Sequence, residues 1–232
     1  PDPGLVDREL VEALEARILA EPDPPGYAAH GVWGGVAGVL AVSERHWPDP
    51  SRRDRLADLA RASLDLPSLE VMFGHPGHMA LVAQLHARTG EQRWVEIWSA
   101  GAERLLEEWR HDETLGAWHW TQRFGTSKTR SVGAAHGLVG NLHVLLRGGS
   151  LLAAEQREEV ERRAVETLTR LAVVEDGLAN WPPVAGGPLT ANDRIRVQWC
   201  HGAAGILISL WDLAPDDDAW GELLLAAGRL VW

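Results

Sequence analysis

Cysteine is almost missing from this chain: Cys200 stands alone among 232 residues. A single thiol excludes an intrachain disulfide framework and leaves two readings, a small buried apolar side chain or a reactive or metal-binding thiolate. Lysine is as scarce, with Lys128 the only one, so basic charge is carried almost wholly by arginine. Against 33 acidic residues stand 22 basic ones, a net charge of -11, and no basic run offsets it. That balance argues against nucleic acid and anionic membrane surfaces as main partners. No apolar run approaches the length needed to span a bilayer. The opening Pro1-Asp2-Pro3-Gly4 has neither the basic start nor the apolar core of a signal peptide, so a cytoplasmic location is the expectation.

What is present is apolar and helical. Hydrophobic residues make up 45% of the chain, with twelve Trp, enough to fill a core, and no linker divides residues 1–232, which points to a single domain. Residues 5–20 read as an amphipathic helix with Val6, Leu10, Leu14 and Ile18 on one face, stopped by Pro22, Pro24 and Pro25. A short apolar helix follows and ends before Pro48. The next helix, 52–65, takes Ser51 as its N-cap. An apolar helix to about Arg88 precedes an amphipathic one over 91–110. Residues 111–132 break the rhythm and read as a loop or short hairpin. A third apolar helix ends at Gly148-Gly149, and Ser150 opens a long amphipathic helix to about Val174. A polar loop runs on to Arg196. A fourth apolar helix, 203–213, precedes a last amphipathic one that Pro215-Asp216-Asp217-Asp218 caps and that runs to Trp232.

A unit therefore recurs: a Gly-x-x-Gly turn, an apolar helix, a break and an amphipathic helix. The second glycines are Gly38, Gly77, Gly140 and Gly205. Apolar helices alternating with amphipathic ones suit an inner ring enclosed by an outer ring, so the expected fold is all-α, an α/α toroid. In such a ring the loops that begin the inner helices converge, and would bring His30, His75, His78, His136, Cys200 and His201 towards one cavity. His86 and His143 lie within helices and read as surface or packing residues. Thiolate and imidazole together suit zinc, which in a catalytic site takes three protein ligands. A sugar-active toroid would need paired carboxylates at these positions, and they carry His and Gly instead.

Three segments, Gly133-Ala134-Ala135-His136-Gly137-Leu138-Val139-Gly140, Asn180-Trp181-Pro182-Pro183 and Gln198-Trp199-Cys200-His201-Gly202-Ala203-Ala204-Gly205, in this order and spacing resemble the lanthionine synthetase C-like (LanC-like) family. Gly35-x-x-Gly38 and Gly74-x-x-Gly77 resemble its earlier repeats. The resemblance covers nearly the whole chain and is nearer to the branch with glutathione-handling proteins. It implies a double α-toroid with zinc at one end, held by Cys200 and by a later Cys-His pair that has no counterpart before Trp232. A toroid lacking its last repeats is thus expected, with His201 beside the metal ligand rather than a ligand. The implied activity is addition of a thiol, from peptide Cys or glutathione, to dehydroalanine or dehydrobutyrine, giving a thioether. By that resemblance His136 carries the proton to the enolate, and Arg196, one turn before Cys200 if the segment is helical, faces the enolate oxygen or a substrate carboxylate. An aspartate that cyclases use has no place in this reading; its repeat is absent or replaced by residues 111–132. The alternative is a metal-free peptide-binding toroid that keeps the scaffold without the chemistry.

Overall fold

The computed structural model describes residues 7–20, 31–191 and 194–232. The chain sorts into two compact units, one of residues 1–68 and 72–101, the other of residues 69–71 and 102–232.

The first unit is helical. It holds α1 (Arg8–Ala20), α2 (Val36–His46), α3 (Pro50–Ser63), α4 (His75–Thr89) and α5 (Gln92–Glu108) as far as Gly101. Helix α2 packs on α1 and α3, and α3 on α4. Leu40, Leu56, Met79, Trp94 and Trp98 fill the interior, each at most 2% exposed. The apolar face expected on the first helix is not the buried one, since Leu10 and Leu14 are exposed. Helix α3 begins two residues before the expected start because Asp49, not Ser51, is the N-cap. Its carboxylate accepts from the Ser51 backbone N–H and hydroxyl, and Pro50 occupies the first helical position, where no N–H is needed. Gly90, with φ +68°, closes α4, and the adjacent Thr89 hydroxyl accepts the Trp94 indole N–H at 3.0 Å.

The second unit departs from the all-α expectation. Its helices are the end of α5, α6 (Leu138–Arg147), α7 (Ala154–Leu171), α8 (Ala203–Leu210) and α9 (Asp218–Val231). Among the described residues four antiparallel strand pairs interrupt them: β1 (Arg110–Asp112) with β2 (Ala117–His119), β3 (Gln122–Phe124) with β4 (Ser127–Thr129), β5 (Val173–Glu175) with β6 (Leu178–Asn180), and β7 (Thr190–Ala191) with β8 (Arg194–Ile195). Residues 111–132 thus hold most of two hairpins rather than one loop. The long helix expected to reach Val174 stops at Leu171, because Val173 pairs with Asn180 across a tight turn through Asp176 and Gly177. Helix α6 packs on α7 and α8, α9 on α8 and β6, and β2 on α7. The Trp residues fasten these joints. Trp109 and Trp120 stack at 4.5 Å, the Trp120 indole N–H donates to the Leu105 carbonyl, and the Arg163 guanidinium covers Trp118.

The repeat recurs in the structure. In each copy the first glycine is the helix N-cap, Gly35, Gly74, Gly137 and Gly202, and the second lies one turn inside; the fourth helix starts at Ala203 as expected but ends at Leu210 rather than 213. A Cβ on Gly38, Gly140 or Gly205 would overlap the carbonyl of Val32, Ala134 or Trp199, in every case six residues back. The approach turn folds onto the first helical turn and leaves no room for a side chain. The apolar helices are not covered on all sides, since Val42 on α2 and Ile208 on α8 are exposed.

Candidate functional site

Three pieces of the second unit meet at the start of α6: residues 69–71, the turn Gly133–Gly137, and the segment Arg196–Ala203. The first is short and apolar apart from Glu70, which is fully buried. Its neighbours fix it. The Leu69 carbonyl accepts from the buried Asn141 amide at 3.0 Å, and Val71 rests where a side chain on Gly140 would go. Glu70 is thereby presented to His136, whose Nδ1 lies 2.6 Å from Oε2. A carboxylate at that distance accepts from Nδ1–H and fixes the orientation of the ring. The His136 side chain is 30% exposed, and Phe124 of β3 meets its ring edge-on at 5.5 Å.

Arg196, Cys200 and His201 sit on a turn, not on the helix considered for Arg196. Gln198 and His201 exchange backbone hydrogen bonds, 2.8 and 3.2 Å, and Gly202 leaves the turn at φ +88°. One side chain grips both ends of this segment. The buried Asn180 amide donates to the Arg196 carbonyl at 3.2 Å, and its oxygen accepts the Ala203 N–H at 2.8 Å. A Cβ on Gly202 would strike both the Arg196 carbonyl and Asn180, and one on Gly133 would strike the Cys200 carbonyl, so the His136 turn lies directly on the Cys200 turn. Burial lowers the His201 pKa below its ordinary 6.5, and the positive charges of Arg196 and His136 lower it further, so the ring is neutral at pH 7. His201 Nδ1 is buried with no hydrogen-bond partner among the described residues. Cys200 is half-buried, its Sγ 3.6 Å from the Gln198 side-chain oxygen.

A family model described as lanthionine synthetase C-like protein matches residues 12–222. This chain belongs to the lanthionine synthetase C-like family. The match takes in all four Gly-x-x-Gly turns and the segments around His136, Asn180 and Cys200.

Within this LanC-like protein the expected site residues fall into two sets. His136, Arg196, Cys200 and His201 come together in the second unit. His75 and His78 are buried in the first turn of α4, in the first unit, and His30 lies outside the described residues. His143 packs as expected, bonding through Nδ1 to the Ser209 carbonyl. Glu70 was missed from the sequence, and so was the double grip of Asn180. A lone acid inside Leu69-Glu70-Val71-Met72-Phe73 was the available signal, since a charge in an apolar run needs a partner. Among the described residues no three His, Cys, Asp or Glu side chains come together as a metal-binding group.

Proposed function

We propose that this LanC-like protein promotes addition of a thiol to a dehydroalanine or dehydrobutyrine residue. The supporting observation is the His136–Glu70 pair: a partly exposed imidazole whose Nδ1 is held by a buried carboxylate beside the cysteine turn. The thiol loses its proton and its sulfur bonds to the β-carbon. The carbon–carbon double bond opens into an enolate, and protonated His136 delivers a proton from Nε2 to the α-carbon. The thiol's proton restores the imidazolium, so the sum is RSH plus alkene giving a thioether. Glu70 orients the ring and balances its charge. Arg196 stabilises the enolate oxygen from the adjoining turn.

These steps are assigned to the protein's own side chains. Zinc enters the proposal only through Cys200, with its remaining donors supplied from outside the described residues; when bound, it would hold a substrate thiol as thiolate. An α/α toroid, and glutathione or a peptide cysteine as the thiol source, belong to the same proposal.

The test supplies a dehydroalanine peptide and glutathione to the protein and follows the thioether adduct by mass spectrometry. Acceleration that is lost in His136→Asn, with helix content unchanged, is the expected result. A peptide that binds without any acceleration would favour the scaffold alternative.

A further inference from the structure

No described residue covers the outer face of helix α9. The helix packs on α8 and β6, and Trp220, Ala226 and Ala227 are buried. On the other side Asp218, Glu222, Leu225, Arg229 and Trp232 are all exposed, Leu225 at 59% and Trp232 fully. Their alternating spacing of four and three residues sets them in one stripe along the helix. The stripe borders a groove of about 1000 Å³, which Leu207 and the exposed Trp211 line from the α8 side.

Two glycines give this face a meaning beyond exposed leucine and tryptophan. Gly221 and Gly228 also line the groove, and a Cβ on either would meet nothing within 4 Å. Glycine inside a helix is destabilising relative to alanine, and no neighbour among the described residues requires it here. What the two glycines leave is room for another backbone to approach closely.

The charges on the stripe select that backbone. Glu222 has no ion-pair partner among the described residues. Arg229 donates from Nε to the Gly177 carbonyl at 3.1 Å, which steadies the guanidinium and leaves its terminal nitrogens without a carboxylate among the described residues. Glu222 and Arg229 stand on opposite sides of Leu225 in the stripe, as do Gly221 and Gly228. A second α9 laid antiparallel, with a two-fold axis beside Leu225, sets each Glu222 against the other copy's Arg229 and Leu225 against itself. A parallel copy would oppose Glu222 to Glu222 and Arg229 to Arg229. Charges flanking a helix seam set orientation in this way.

We propose that the α9 face is a self-complementary interface between two copies of this chain, closed by two symmetric Glu222–Arg229 pairs around Leu225. The two glycines of each helix let the backbones approach, and Trp211 and Trp232 leave water as the groove is covered.

Sedimentation velocity on the full chain across the micromolar range tests the interface, with helix content of every variant checked by circular dichroism. Wild-type protein should pass from monomer to dimer as concentration rises, and Leu225→Arg should stay monomeric. An exposed ion pair changes association by up to about fivefold and two are present, so Glu222→Arg, which turns both into like-charge contacts, should weaken dimerisation roughly tenfold or more. Arg229→Glu should do the same. Mixed in equal amounts, the two charge variants regain both pairs in a heterodimer and should associate about as well as the wild type. If loss of the Gly177 contact disturbs folding of Arg229→Glu, then Leu225→Arg and Glu222→Arg, both at exposed positions, keep the test available. Gly221→Ala/Gly228→Ala should weaken dimerisation while stabilising the dilute monomer, opposite signs that a purely structural role would not produce. A wild-type protein that stays monomeric overturns the proposal and leaves the groove to a different occupant. A dimer that survives both Leu225→Arg and Glu222→Arg overturns it as well, and a mixture of two folded charge variants that stays monomeric overturns the antiparallel pairing.

Discussion

Replacing Asn180 with Ala should release the turn that carries Arg196, Cys200 and His201. Two hydrogen bonds are lost, at 3.2 and 2.8 Å. They differ in cost. Ala203 is fully buried, so its N–H is left without a partner, whereas Arg196 is half-buried and water can reach its carbonyl. An orphaned buried N–H costs about 1–3 kcal/mol and an ordinary hydrogen bond about 1 kcal/mol, so the loss should total about 2–4 kcal/mol. Asn180→Asp keeps the acceptor for Ala203 but sets an oxygen against the Arg196 carbonyl, and should recover about half. Urea unfolding reads the total. Amide hydrogen exchange reads the location: the Ala203 N–H should exchange about 30-fold to 1,000-fold faster if the turn opens locally, because each 1.4 kcal/mol is tenfold in the opening equilibrium. An Ala203 amide that stays as protected as in the wild type, with an unchanged urea midpoint, would refute the reasoning.

Further outcomes follow from the packing and titration of the second unit. Gly140→Ala should destabilise by about 1–3 kcal/mol in urea, since its Cβ overlaps the Ala134 carbonyl and Val71, whereas Gly221→Ala, with open space around it in α9, should stabilise by about 0.5–1 kcal/mol. Stability should fall as pH is lowered: burial and then Arg130 hold the His119 pKa below its ordinary 6.5, so the unfolded chain takes up the proton first. That contribution is present above about pH 6.5 and disappears as pH drops through the folded value, so His119→Gln should flatten the urea midpoint between about pH 7 and pH 5. Trp181→Phe removes a buried indole donor to the Leu168 carbonyl, 2.7 Å away, and should cost about 1–2 kcal/mol without altering the His136 segment.

Periodicity and glycine spacing made the helices and the repeat legible, because a Gly-x-x-Gly turn before an apolar run is a local signal. The hairpins were less visible. Strands of two or three residues, such as Val173–Glu175, are too short to show alternation, and α7 ended early through a pairing between segments that no periodicity records. Asp49 outranked Ser51 as a cap because Pro50 fits the first helical position, a rule that the residue order already contained. At the site, His136, Arg196 and Cys200 were found by motif, and the structure brings them together. Glu70 was not found, since its role depends on Asn141 and Gly140 bringing residues 69–71 to α6 from far along the chain.

The central claim is that His136, held by Glu70, moves the proton in thiol addition. The most direct measurement is the rate of thioether formation on a dehydroalanine peptide in the wild-type protein, Glu70→Gln and His136→Asn, each checked for unchanged helix content. The account predicts a rate reduced by roughly 10²–10⁴-fold in His136→Asn, the usual contribution of a positioned acid or base, with a smaller loss in Glu70→Gln. Undiminished addition by His136→Asn would contradict it.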